Sequence, residues 1–113
     1  MKAYATGDYA IYWDKQQKKL AANKIKKIYP IRRQGKDTDY LFLEAAQDIY
    51  ADDLIAVVKV IRPSGSEFIS YRKIIQINES AVPAESATTL QEFLEATFKQ
   101  GTLEDFLDEQ DLD

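Results

Sequence analysis

Apolar and polar positions alternate early in the chain, where Tyr9, Ile11 and Trp13 interleave with Ala10 and Tyr12. A period of two among β-forming residues predicts a strand over 8–13. Tyr40-Leu41-Phe42-Leu43 predicts a short buried strand, and residues 33–39 before it form a turn-rich loop in sequence terms. Residues 54–61 and 67–77 predict a β-hairpin across Pro63-Ser64-Gly65-Ser66. Both faces of its first strand are apolar, which places that strand inside a sheet. The period then changes. Leu90, Phe93, Leu94 and Phe98 share a helical face behind a cap at Thr88 or Thr89, and Gly101 is placed to end that helix. Thr102 caps a second short helix with the stripe Leu103, Phe106 and Leu107.

Residues 14–31 support two patterns. As a helix, Asp14 is the cap, Gln17 completes a capping box, and Leu20, Ala21, Lys24, Ile25, Ile28 and Tyr29 fall on one side until Pro30 stops it. As strands, 14–19 is a polar hairpin loop and 22–31 a twisted strand mixing Lys and Ile. The strand reading is preferred. The expected fold is therefore mainly β: a small antiparallel SH3-like barrel or curled sheet with two short C-terminal helices. The alternative is an α+β fold with a helix at 15–29 packed on an antiparallel sheet. Residues 1–79 would form the β domain, and 80–113 a linker, the helices and an acidic tail packed on it.

Composition narrows the chemistry. The 113 residues include no histidine and no cysteine. Thiol catalysis, disulfides, Cys/His zinc sites and Ser-His-Asp machinery are thereby excluded. The four glycines are too scattered for a phosphate loop. A non-enzymatic protein with no cofactor is expected. Residues 1–8 lack an apolar signal core, and the longest apolar run, 54–58, falls far short of the ~20 residues that span a bilayer. A cytoplasmic protein with no membrane partner is the resulting expectation.

The net charge of −4 conceals a division. Residues 1–36 carry a surplus of +8, with no acid between Lys15 and Lys36, whereas residues 37–113 carry −12. Lys18, Lys19, Lys24, Lys26, Lys27, Arg32 and Arg33 make a candidate phosphate-contacting segment, with tyrosines nearby for stacking on bases. The bland counterpart is a solvated edge protected by lysines. At the other end, Glu104, Asp105, Asp108, Glu109, Asp111 and Asp113 stand without a base around Phe106 and Leu107. That pattern suits a helix docking on a partner, a segment folded back over the chain's own basic stretch, or a solubilising tail. Asp37, Asp39, Asp52, Asp53, Asp105, Asp108 and Glu109 are the only metal-ligand candidates. They match no EF-hand spacing, although a calcium-responsive regulator stays a third reading.

Tyr9, Tyr12, Trp13, Tyr29, Tyr40 and Phe42 are the last candidates. Clustered at one end of a small barrel they would form an aromatic cage or peptide platform; alternation instead assigns Tyr9, Ile11 and Trp13 to a core face. The run from Gly7 to Trp13, then Lys24-Ile25-Lys26-Lys27-Ile28-Tyr29, Tyr40 to Leu43 and the long hairpin resembles the strand order of SH3-like small barrels of the Tudor and BAH type over residues 7–78. That resemblance implies a non-catalytic binding module with an aromatic surface near its first strands. The expected function is a protein-interaction module using Tyr9, Tyr12, Trp13, Tyr29, Tyr40, Phe106 and Leu107. Nucleic-acid binding through the 15–36 basic segment is the alternative.

Overall fold

The computed structural model describes residues 3–45, 47–61 and 71–98. Among these residues six strands form one antiparallel sheet: β1 (Tyr9–Asp14), β2 (Lys19–Arg33), β3 (Lys36–Leu43), β4 (Ile49–Tyr50), β5 (Ala56–Ile61) and β6 (Tyr71–Gln76). Their order is β4-β3-β2-β1-β5-β6, an open sheet with β4 and β6 at its edges. A 3-10 turn, Ala51–Asp53, leads into β5, and a second, Glu79–Ala81, follows β6. One helix among the described residues, α1 (Leu90–Thr97), completes the fold. The chain is mainly β. No helix among the described residues is long and apolar enough to cross a membrane. The turn at 63–66, the stop at Gly101 and the second helix lie outside the described residues.

The helical reading of 15–29 is overturned. Asp14 accepts the amides of Gln16 (2.9 Å) and Gln17 (3.1 Å), the same chemistry a helix cap would offer, but it closes a hairpin turn instead. Lys18 takes the left-handed conformation at φ 53°, and Asp14 pairs with Lys19 across the hairpin. The expected loop at 33–39 is also corrected. Only Gln34 and Gly35 turn, with φ of 53° and 78°, and β3 starts at Lys36. Two successive positive φ values make the tight two-residue connection whose twist matches the flanking strands.

β2 is fifteen residues long and serves two partners. Its first part pairs with β1, from Tyr9↔Lys24 to Asp14↔Lys19, and its second part with β3, from Lys27↔Phe42 to Arg33↔Lys36. Between them the register shifts at Ile25/Lys27, a bulge that bends the strand. The bend lets the sheet curl around one interior. Ala10, Tyr12, Ile25, Leu41, Leu43, Ile49, Leu54 and Val57 are buried together there.

A second cluster lies on the opposite face of β1 and β5, where Ile11, Leu20, Ile55, Ala56 and Val58 meet Leu90, Leu94 and Phe98 of α1 and its C-cap. Residues on both faces of β5 are buried, as its apolar sequence requires, and β1 and β6 flank it. Thr89 caps α1 through a complete capping box with Glu92, whose carboxyl is held below the usual range by the Thr89 amide and hydroxyl. Leu94→Ala should cost about 2–5 kcal/mol in urea unfolding, the usual loss for an emptied core leucine. The Cβ of a Gly35→Ala variant would meet nothing within 4 Å, so only backbone strain acts there; a loss of ~1–2 kcal/mol is expected.

Candidate functional site

Beyond the bulge, alternation along β2 sends Ile28 toward the interior and Tyr29 to the outer face, where it is 46% exposed. Tyr29 lies opposite Tyr40 of β3, and Tyr40 opposite Tyr50 of β4. The rings form a chain of edge-to-face contacts: Tyr29 to Phe42 (5.2 Å), Phe42 to Tyr40 (5.1 Å) and Tyr40 to Tyr50 (5.1 Å). Arg33 lays its guanidinium 3.9 Å from the Tyr50 ring centroid. Asp52 holds that end, 3.9 Å from Arg33 Nη1 and accepting a 3.0 Å hydrogen bond from Thr38 Oγ1. An open depression runs over Tyr29, Pro30, Ile31, Tyr40, Phe42 and Tyr50.

Cations border this face. Lys26 and Lys27 at the bulge and Lys36 past the turn are all exposed, and among the described residues no carboxylate pairs with them. Arg32 is opposed by Asp37 at 3.6 Å. Lys18 and Lys19 sit apart, at the β1–β2 turn, so the basic run is divided between two ends of a long strand.

The predicted aromatic residues do not converge. Tyr12 is buried in the interior, where Asn23 Nδ2 donates to its hydroxyl at 2.7 Å. Tyr9 and Trp13 turn to the α1 side, with Tyr9 edge-on to Phe98 at 5.4 Å. Trp13 lines a groove beside β4 with Arg33, Tyr50 and Asp52, the residues that end the aromatic row. Of the expected aromatic set, Tyr29, Tyr40 and Phe42 share the outer face. Phe106 and Leu107 lie outside the described residues. Tyr50 was missed because β4 is two residues long, and its alignment with Tyr40 follows from a chain reversal without periodicity.

Three of the carboxylates named as metal ligands are engaged separately. Asp39 is buried and accepts a hydrogen bond from the Tyr4 hydroxyl, Asp37 faces Arg32, and Asp52 holds Thr38. Among the described residues no three His, Cys, Asp or Glu side chains gather as a metal ion would need. Asp105, Asp108 and Glu109 lie outside the described residues. Comparison with known proteins finds no matching family model, no similar curated protein and no similar solved structure.

Among the described residues two phenols are shifted by their surroundings. Tyr4 is raised well above its ordinary value by burial first, then by the hydrogen bond and charge of Asp39. Tyr12 is raised by burial, which outweighs the opposing hydrogen bond from Asn23. Both folded-state values exceed the unfolded one, so their stabilisation is complete below pH ~10 and is lost as pH climbs through the folded values. Ultraviolet titration should therefore show Tyr4 and Tyr12 ionising late, with unfolding setting in on the alkaline side. Tyr4→Phe should remove one late phenol and weaken the alkaline sensitivity.

Proposed function

We propose that this chain is a non-enzymatic protein-interaction module built on an SH3-like small barrel, and that its ligand surface is the outer face of β2, β3 and β4. The barrel reading is supported by five strands contributing to one interior: Ala10 from β1, Ile25 from β2, Leu41 from β3, Ile49 from β4 and Val57 from β5. It is supported further by a long bent second strand shared between its neighbours, and by a last strand that follows a 3-10 turn and lies beside the first. The resemblance over residues 7–78 draws on the same order. It takes in the hairpin of β5 and β6 and leaves α1 outside.

The observation that carries the functional reading is the uncovered aromatic chain. Burying large side chains yields about 1.5–3 kcal/mol each, so a row of four rings with Tyr29 exposed and Tyr40, Phe42 and Tyr50 partly buried is a surface with binding free energy still to gain. The rings offer apolar contact at little entropy cost, and their phenol groups and the bordering cations add polar anchors. A partner segment mixing apolar side chains with carboxylates fits this chemistry. Catalysis has no comparable support: the chain has no histidine or cysteine, and the carboxylates at the face are held by Arg32, Arg33 and Thr38. A cytoplasmic setting agrees with the cysteine-free composition.

Nucleic-acid binding is the second reading, favoured by Lys26, Lys27 and Lys36 beside an exposed tyrosine. The acidic net charge and the carboxylates opposing Arg32 and Arg33 count against it.

The test is paired capture from native lysate by the full chain and by Tyr29→Ala and Arg33→Ala variants, each checked for an unchanged circular dichroism spectrum. Partner recovery should fall strongly for both variants. Equal recovery would sink the assignment of this face. A parallel titration with a labelled duplex and a labelled single strand at two salt concentrations decides the second reading. Tight binding with a steep salt slope would replace the protein-partner reading, and no binding at low salt would retire the nucleic-acid one.

A further inference from the structure

The aromatic face and the face covered by α1 are one continuous surface of β2. Before the bulge, Leu20 and Ala22 pack in the cluster that includes α1, and Lys24 places Nζ 5.7 Å from the centroid of the Tyr9 ring. After it, Tyr29 and Arg33 lie on the outer face. The helix covers only the first part. Phe98, the last described residue, rests edge-on against Tyr9, whose strand partner is Lys24. The chain thus leaves the helix beside Lys24, at the start of the uncovered basic and aromatic stretch.

Fifteen residues follow, 99–113, with six acids, no base after Lys99, and Phe106, Leu107 and Leu112 among the acids. From Lys24 to Arg33 is nine strand positions, roughly 30 Å at the usual rise, whereas fifteen residues reach up to ~50 Å when extended. The tail therefore has the length to cover the whole face. It also has the complementary chemistry: carboxylates for Lys26, Lys27 and Lys36, and apolar side chains for the depression at Tyr29 and Phe42.

We propose that residues 102–113 occupy the outer face of β2 and β3 of their own chain, with Phe106 and Leu107 on the Tyr29–Phe42–Tyr40 rings and the acids over the bordering lysines. The tail is then a built-in competitor that a partner must displace. A short tether supplies an effective concentration of order mM, so a contact too weak to hold in trans is populated in cis. This rests on the reading of that face as the ligand surface.

The absence of cysteine supplies the experiment. A Gln110→Cys variant of the full chain carries one thiol, takes one nitroxide label and retains every tail charge. At low salt, amide signals of Lys26, Lys27, Tyr29 and Tyr40 to Phe42 should lose intensity relative to the reduced label. The loss should reverse near 1 M salt, where the screening length is about 3 Å, and in an Asp108→Lys/Glu109→Lys background. No loss at these residues, or loss centred elsewhere, overturns the proposal. Loss that survives both salt and charge reversal overturns its electrostatic basis. Loss appearing only on mixing isotope-labelled and spin-labelled chains assigns the face to a second copy and overturns docking in cis. Failure here leaves any capture difference for Tyr29→Ala standing. Failure of the binding-face reading shows instead as equal capture with the intensity loss intact.

Discussion

The bulge in β2 decides how the other described elements are arranged, because it turns two isoleucines three residues apart, buried Ile25 and half-buried Ile28, toward one interior. Ile25 is buried in the interior and Ile28 packs against the same cluster. Strict alternation would put them on opposite faces, since residues three apart in a regular strand point in opposite directions. The register shift between Ile25 and Lys27 adds the extra residue that brings both inward. The same shift exchanges parity on the outside. Leu20, Ala22 and Lys24 face the helix side before it, and Tyr29 and Arg33 take the outer face after it.

Bending one long strand also divides the core in two. The interior of the curl is filled from β1 to β5, and the reverse face of β1 and β5 is covered by α1. Neither cluster extends over the outside of β3 or of β2 beyond the bulge. An eight-residue helix has the length to cover only one part of a sheet of this width. What is left over is the row of four rings, held to one another edge-on and to Arg33 and Asp52 at the far end. A surface excluded from both cores, yet rich in core-type side chains, is where an interaction protein would place its contact.

Polar pairs tie the first residues to this frame. Asp8 accepts both the Ala5 amide and Lys59 Nζ at 2.6 Å, joining the N-terminal turn to β5. The Gly7 amide and the Asp8 carbonyl bracket Ile25 at 2.8 Å each, directly before the bulge. Tyr4 donates to the buried Asp39 from the same segment. A carboxylate this far from water requires such a donor, because desolvating it without hydrogen bonds costs several kcal/mol. Asp39 is thus a structural group, which its acidic identity alone did not reveal.

Alternation at Tyr9, Ile11 and Trp13, the two apolar faces of 54–61 and the cap at Thr89 are local signals, and each was legible because neighbours in sequence produce it. The helix-like spacing of Leu20, Ala21, Lys24, Ile25 and Ile28 had a different origin: a bulge places buried residues three apart and so imitates a helical period. The chemistry of Asp14 was equally ambiguous, since a cap and a hairpin turn both ask a carboxylate to accept amides two and three residues on. Of the binding candidates, Tyr29 and Tyr40 were identified, but their separation from Tyr9, Tyr12 and Trp13 was not. By itself the sequence determined the β character, the first C-terminal helix, the lack of thiol and imidazole chemistry and the +8/−12 division of charge. Tertiary structure alone decided which rings share a surface, because that depends on strand pairing between residues far apart and on a bulge whose position is set by core packing.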